Sequence, residues 1–260
     1  MARGWDIGII NGRVYRAISV GIYAMKTILS YGAGVNSTAI IALALLGKIP
    51  MPDYIVFSDT GAEWPNTYQY MDYLECRGIP ITYLTGGNKE MTLIDYCREK
   101  NFIPSRMNRW CTDYWKIQPV KLFAQSLGED VRTIIGIDAG EAHRAKSKRG
   151  RQSHKHYLLI ELGYDRNDCK RIIKEAGLGL PQKSGCYICP YQSKRQWIDL
   201  KREHPDLWEI AVDLENHSVL KWENFTYING IRIGDYIADL DKQKVLDLFE
   251  YEESCWCVFN

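Results

Sequence analysis

The sequence predicts an α/β fold, a parallel sheet with flanking helices, followed by a helical, cysteine-bearing C-terminal part. Three observations predict it. Short apolar runs alternate with helical patterns through the first half of the chain, as βαβ units require. A glycine-containing turn joins the first run to a buried-type helix. Beyond about residue 150 the pattern changes to amphipathic helices and cysteines.

Taken in order, residues 1–24 carry no motif and are read as an N-terminal extension: an added strand, a helix or non-native sequence. Lys26–Leu29 is a short apolar run before a glycine turn, and Ser37–Leu46 is apolar all round, as a buried helix is. Tyr54–Phe57 is the second strand and Thr67–Cys76 the next helix. Ile81–Leu84 follows Pro80 as a third strand and ends at Gly86-Gly87; Met91–Lys100 is helical and Arg132–Ile137 is the fourth strand. Right-handed crossovers then align the strand C-termini on one edge, where ligands bind in open sheets. Tyr157–Leu162 reads as a strand. Helices are predicted at Arg166–Ala176, Lys194–Glu203, Pro205–Glu215 and Lys242–Phe249. Asn229-Gly230, set between alternating apolar residues of Phe225–Ile233, signals a hairpin. The organisation expected is an extension (1–24), a ligand-binding core (25–150) and a C-terminal helical part (151–260).

Composition limits the function classes. The 260 residues are 46% hydrophobic and 25% charged, as in soluble domains. Lys+Arg is 33 against Asp+Glu 32, so the net charge gives no support to a nucleic-acid partner. Positive charge is concentrated in Lys146, Lys148, Arg149, Arg151, His154, Lys155 and His156, which read either as a solvated loop or as a basic lid over an anionic ligand. No apolar run reaches the ~18 residues that span a bilayer, and Asp6, Arg13 and Arg16 interrupt any signal-peptide core. The expected location is the cytoplasm, with no membrane partner. Thiols stay reduced there, so eight cysteines point to metal ligation or redox work.

The turn Ser30–Thr38 sits between a strand and a helix. Its glycines let backbone N–H groups approach phosphate oxygens, and the helix N-terminus adds positive potential. Ser37 and Thr38 add hydroxyls, and no G-K-[ST] ending makes it a Walker loop.

This segment resembles the PP-loop (S-G-G-x-D-S-T) of ATP pyrophosphatases and phosphoadenylyl-sulfate (PAPS) reductases. The resemblance puts Ser30, Gly32, Gly34, Asn36, Ser37 and Thr38 at the nucleotide. Ala33 replaces the middle glycine, and Asn36 stands where many members have aspartate. A second block, Asp59-Thr60-Gly61 through Pro65 and Thr67, is similar to D-T-G-x-x-x-P-x-T. It implies that Asp59, Thr60 and Gly61 contact nucleotide or Mg²⁺. The third, Arg109–Pro119, is similar to R-x-C-(T/C)-x-x-x-K-x-x-P. The fourth, Gly136–Arg144, is similar to G-x-x-x-x-E-S-x-x-R. They nominate Arg109, Lys116 and Arg144 as cations for phosphate or sulfate, and Glu141 at the nucleotide. The four blocks cover residues 26–145 in family order, and imply the adenine-nucleotide alpha-hydrolase, Rossmann-like fold.

Cys186-Tyr187-Ile188-Cys189-Pro190 is a C-x-x-C-P knuckle. Four thiolates hold a [4Fe–4S] cluster or a structural zinc equally well; the resemblance favours the cluster. Where relatives pair two cysteines in the third block, this chain has Trp110-Cys111, so Cys169 is nominated as the replacement. The expected ligands are Cys111, Cys169, Cys186 and Cys189. Cys255 and Cys257 fall where the reductases keep a nucleophilic tail thiol, and are candidate catalytic groups.

Three functions follow from the resemblance. The favoured one is an ATP-using enzyme of adenylylation-linked sulfur transfer, with a sulfur donor as partner. The second reduces PAPS or adenylyl sulfate with a tail cysteine and a thioredoxin-like reductant, releasing sulfite. The third is a non-catalytic nucleotide-binding module with zinc. A homo-oligomer is compatible with each.

Overall fold

The computed structural model describes residues 7–10, 13–16, 25–85, 91–107, 109–128, 131–146, 154–222, 225–228 and 230–242. The extension contributes β1 (Ile7–Ile10) and β2 (Arg13–Arg16), paired antiparallel with Ile7 opposite Arg16. The main sheet holds β3 (Lys26–Tyr31), β4 (Tyr54–Asp59), β5 (Thr82–Thr85), β6 (Val131–Ile135) and β7 (Lys155–His156). Its order is β5-β4-β3-β6-β7 and every pair is parallel. The chain runs outward from β3 to one side and then crosses back to β6 on the other. That reversal makes the C-terminal end of β3 a topological switch point, where a crevice opens.

Alpha-helix α1 (Val35–Leu45) follows β3. It begins two residues earlier than the sequence pattern suggests, so Asn36, Ser37 and Thr38 lie in its first turn. All residues from Val35 to Leu43 are buried, as expected of a helix that is apolar all round. Its neighbours are α2 (Pro65–Glu75), α6 (Leu158–Glu161) and α7 (Arg166–Glu175), which share one core with β3 and β4. Asp165 caps α7 in a reciprocal box with Asp168.

A second core is aromatic. It gathers Trp64, Trp110, Trp115, Trp197 and Tyr227 from α3 (Leu93–Lys100), α4 (Trp110–Thr112), α8 (Lys194–Glu203), α9 (Pro205–Lys221), α10 (Ile233–Lys242) and the loops between them. Ser193 caps α8 in a box with Gln196, and Thr92 caps α3. Between α4 and α5 (Gln118–Ser126) the helix widens into a π-helical turn, Asp113–Ile117. Such turns are rare and concentrate at functional sites.

Leu159, Ile172 and Ile173 sit in the core of the sheet, while α8 to α10 build the aromatic core with α3 and α4. One local expectation changes. The predicted strand Tyr157–Leu162 is mostly the short helix α6, because the β7 pairing ends at His156 and Tyr157 then leaves the sheet. Of the predicted Asn229-Gly230 hairpin, the described residues show an antiparallel bridge, Ile228 to Ile231, while Asn229 lies outside them. The predicted helix Lys242–Phe249 lies outside the described residues beyond Lys242, as do Gly86-Gly87, Cys255 and Cys257.

Candidate functional site

The loop after β3 is shaped by its backbone. Ala33 adopts φ +54° although it is not glycine; this left-handed conformation, about 1 kcal/mol dearer for a residue with a Cβ, turns the chain into α1. Gly34 precedes the helix with no side-chain cap, so the first-turn N–H groups are left for a ligand. Ser37 Oγ accepts from Gly32 N–H at 3.3 Å and donates to Gly34 O at 3.2 Å, bracing the turn. Gly136, just past β6, passes against this loop: a Cβ there would stand 2.8 Å from Ser37 N. Only glycine allows that approach without displacing α1.

These elements wall a cleft at the C-terminal edge of the sheet. Ser30, Gly32, Gly34, Asn36 and Ser37 form one side. Lys116 of the π-helical turn, Arg144, Arg166 at the start of α7 and Lys183 bring positive charge to it. Arg144 is buried and held by Glu141 at 2.6 Å, and Glu141 also faces the cleft. Arg166 Nε is buried without a hydrogen-bond partner among the described residues. Ser58 Oγ donates to Trp115 O at 2.8 Å, tying β4 to the turn that carries Lys116.

The closing side of the cleft comes from the far end of the chain. Gln182, Lys183, Ser184 and Gly185 line it. This segment is pinned by Trp64 N–H to Gly185 O (3.1 Å), Tyr187 N–H to Ala62 O (2.8 Å) and a bridge between Glu63 and Cys186. Behind the wall Glu63, 3% exposed, pairs with Lys116 Nζ at 3.0 Å. The same Glu63 oxygen accepts from Thr60 Oγ1 at 3.1 Å and from Cys186 Sγ at 3.5 Å. A buried carboxylate needs such partners, and here they link the cation of the cleft to the thiol knuckle.

Of the residues named from sequence, the fold brings Ser30, Gly32, Gly34, Asn36, Ser37, Lys116, Glu141 and Arg144 to one cleft. Others are placed elsewhere. Thr38 is fully buried with its hydroxyl 3.2 Å from Tyr31 OH. Asp59 Oδ1 accepts from Gly61 N–H (2.8 Å) and Tyr68 OH (2.7 Å), holding the Asp59-Thr60-Gly61 turn. Gly61 has φ +68° and no room for a Cβ beside Thr92, so it serves that turn too. Arg109 lies over the Tyr191 ring, 5.3 Å from its centroid, beside the knuckle rather than in the cleft. Residues that the sequence reading did not single out are Glu63, Asp138, Arg166 and the Gln182–Gly185 stretch. Glu63 lay inside a quoted block and Lys183-Ser184 beside the cysteine knuckle; Arg166 had no local signal.

The described end of the basic segment, His154 and Lys155, lines a second cavity that shares Ser30, Lys116 and Ile135 with the cleft. Burial lowers the His154 pKa, and the charges of Lys155 and Lys121 lower it further.

Three of the nominated thiols divide between the two cores. Cys111 and Cys186 pack against the aromatic core, whereas Cys169 is fully buried among Ile172, Ile173 and the residues of α1. Among the described residues no three His, Cys, Asp or Glu side chains are gathered as metal ligands. Cys111 and Cys186 lie close enough for each thiol to feel the other, whereas Cys169 sits in the other core. Burial pushes the Cys111 and Cys186 thiols up, and Lys116 partly opposes this in both.

No family model matches the chain. Two curated archaeal proteins of Methanocaldococcus jannaschii are similar. Uncharacterized protein MJ0066 is 30% identical over 210 residues, covering 72% of this chain and 38% of that protein. Uncharacterized protein MJ0973 is 24% identical over 205 residues, covering 74% and 47%. The chain thus spans less than half the length of the curated relatives it matches. Among solved structures, a phosphoadenylyl-sulfate (PAPS) reductase from Candida auris in a phosphate complex is similar at 14% identity and a TM-score of 0.47, over 65% of this chain and 84% of that one. No helix among the described residues is long and apolar enough to cross a membrane.

Proposed function

We propose that this chain is a nucleotide enzyme that binds the phosphates of an adenosine nucleotide, ATP in first place, and uses it to activate a substrate by adenylylation in a sulfur-transfer reaction. The observation that carries the phosphate part is the cleft itself: an uncapped helix N-terminus facing Lys116, Arg144, Arg166 and Lys183 at the switch point of a parallel sheet. Unsatisfied N–H groups and converging cations stabilise a polyphosphate in the ground state. They stabilise it more as charge builds on a departing pyrophosphate. The adenosine and sulfur parts rest on the resemblance of the four sequence blocks.

In this reading Lys116 and Arg144 hold phosphate oxygens, Glu141 orients Arg144, and Glu63 keeps Lys116 aimed at the cleft. Gln182–Gly185 closes over the ligand and limits water. No step in this reading is routed through a metal cluster. The test is calorimetric titration with ATP, PAPS and adenylyl sulfate in parallel, with pyrophosphate release followed in the presence of candidate acceptors. Tightest binding of ATP with pyrophosphate release is expected. PAPS preference with sulfite release would move the assignment to sulfonucleotide reduction, and binding of none of the three would end the nucleotide reading.

A further inference from the structure

Asn36 is 7% exposed and lines the cleft from the first turn of α1. Its Nδ2 donates to Asp138 Oδ2 at 2.9 Å. Asp138, three residues past β6, is 3% exposed, and its Oδ1 accepts from Glu141 N–H at 3.1 Å. An ionised carboxylate only accepts, so it must face the nitrogen end of the amide. The orientation of Asn36 is thereby fixed, with Oδ1 turned away from Asp138. That oxygen is buried and has no hydrogen-bond partner among the described residues.

We infer that Asn36 Oδ1, held by Asp138 as a positioning residue, is a built acceptor for a hydrogen-bond donor carried beside the phosphate of the ligand. The inference rests on the nucleotide reading of the cleft and deepens it. A buried acceptor left unpaired is costly, so a ligand that donates to it gains. Fully deprotonated phosphate or sulfate oxygens offer only acceptors and would be repelled at this point. The ligand must bring a donor: a water on a phosphate-bound divalent cation, or a sugar hydroxyl. The pair also accounts for asparagine at a position where the resembled loop carries aspartate. A carboxylate at 36 would face the buried Asp138 carboxylate at hydrogen-bond distance, where like charges repel.

The experiment measures affinities of wild type and Asn36→Ala for inorganic tripolyphosphate and for ATP, each with Mg²⁺ and with a chelator, at mildly alkaline pH. The expected result is a roughly tenfold loss in Asn36→Ala, confined to ligands that bring the donor. A loss with tripolyphosphate only when Mg²⁺ is present identifies a metal-bound water. A loss with ATP but with neither form of tripolyphosphate identifies a sugar hydroxyl. Equal affinities for all ligands, or an equal loss with metal-free tripolyphosphate, overturn the inference while leaving the nucleotide reading in place. Wild type that binds neither compound overturns both. If Asn36→Ala does not fold, Asn36→Leu/Asp138→Asn removes the acceptor without leaving an unpaired buried charge, and the same pattern is expected of it.

Discussion

At the scale of single residues, the pairing of Lys116 with Glu63 explains more than a lysine motif can. Glu63 has 1% of its side chain exposed, and Lys116 28%. Breaking a buried pair from one side leaves an uncompensated charge, whereas removing both charges costs far less. Lys116→Met is therefore expected to lower stability by about 2–3 kcal/mol, and Glu63→Gln in the same chain to restore at least half of it. Urea denaturation of the two singles and the double measures this. Additive losses would mean that the pair is not coupled in solution. Anion affinity should fall in both variants that lack Lys116, restored stability or not, since the cation itself is missing from the cleft.

At the scale of elements, one carboxylate joins two helices to the loop between them. Glu215 of α9 is 1% exposed; it accepts Tyr227 N–H at 2.9 Å through Oε1 and Ile233 N–H, at the start of α10, at 2.7 Å through Oε2. Burial pushes its carboxyl up to about 7, with the two amide bonds opposing. The folded pKa thus exceeds the ordinary glutamate value of about 4.3. The folded state holds the proton more tightly between those values. The contribution of this group to stability is full below about pH 4.3 and is lost as pH rises from there through about 7. Melting temperatures of wild type, taken relative to Glu215→Gln, should fall between about pH 4 and pH 7 and level off above it. Parallel pH profiles of the two proteins would remove Glu215 as the cause.

At the scale of the whole molecule, the site depends on distant parts of the chain. Leu159, Ile172 and Ile173 are almost fully buried in the core beside α1. At about 2 kcal/mol each they contribute about 6 kcal/mol, comparable to the total stability of many domains. A chain of residues 25–150 alone is expected to lack cooperative unfolding and a near-ultraviolet dichroism signal. A sharp cooperative transition in that fragment would show that the core closes without α7. For the same reason Cys169→Ala should cost stability, as a buried side chain does, and leave any metal content unchanged.

Much of the fold was legible because its signals are local. The run Lys26–Leu29, the glycine turn and the apolar segment from Ser37 have β3, the loop and α1 written into them, and β4, β5 and β6 each follow as a short apolar run. The cleft was legible where a block holds several polar residues within a few positions, as at Ser30–Ser37 and Glu141–Arg144. Elsewhere local letters misled. Tyr157–Leu162 is apolar enough for a strand, but no partner edge reaches it.

Sequence by itself determined the alternation of strands and helices through the first half of the chain and the glycine loop between β3 and α1, because periodicity, glycines and caps act over a few residues. Tertiary structure decided which residues share the cleft. Asp138 meets Asn36 across 102 positions, and Glu63 meets Cys186 across 123. Arg166 and Lys183 reach the loop only when α7 and the knuckle segment pack against the sheet. It also decided that Cys169 stays apart from Cys111 and Cys186, since a thiol on the apolar face of α7 is buried with the isoleucines beside it. Such meetings follow from packing between distant segments, which no local pattern encodes.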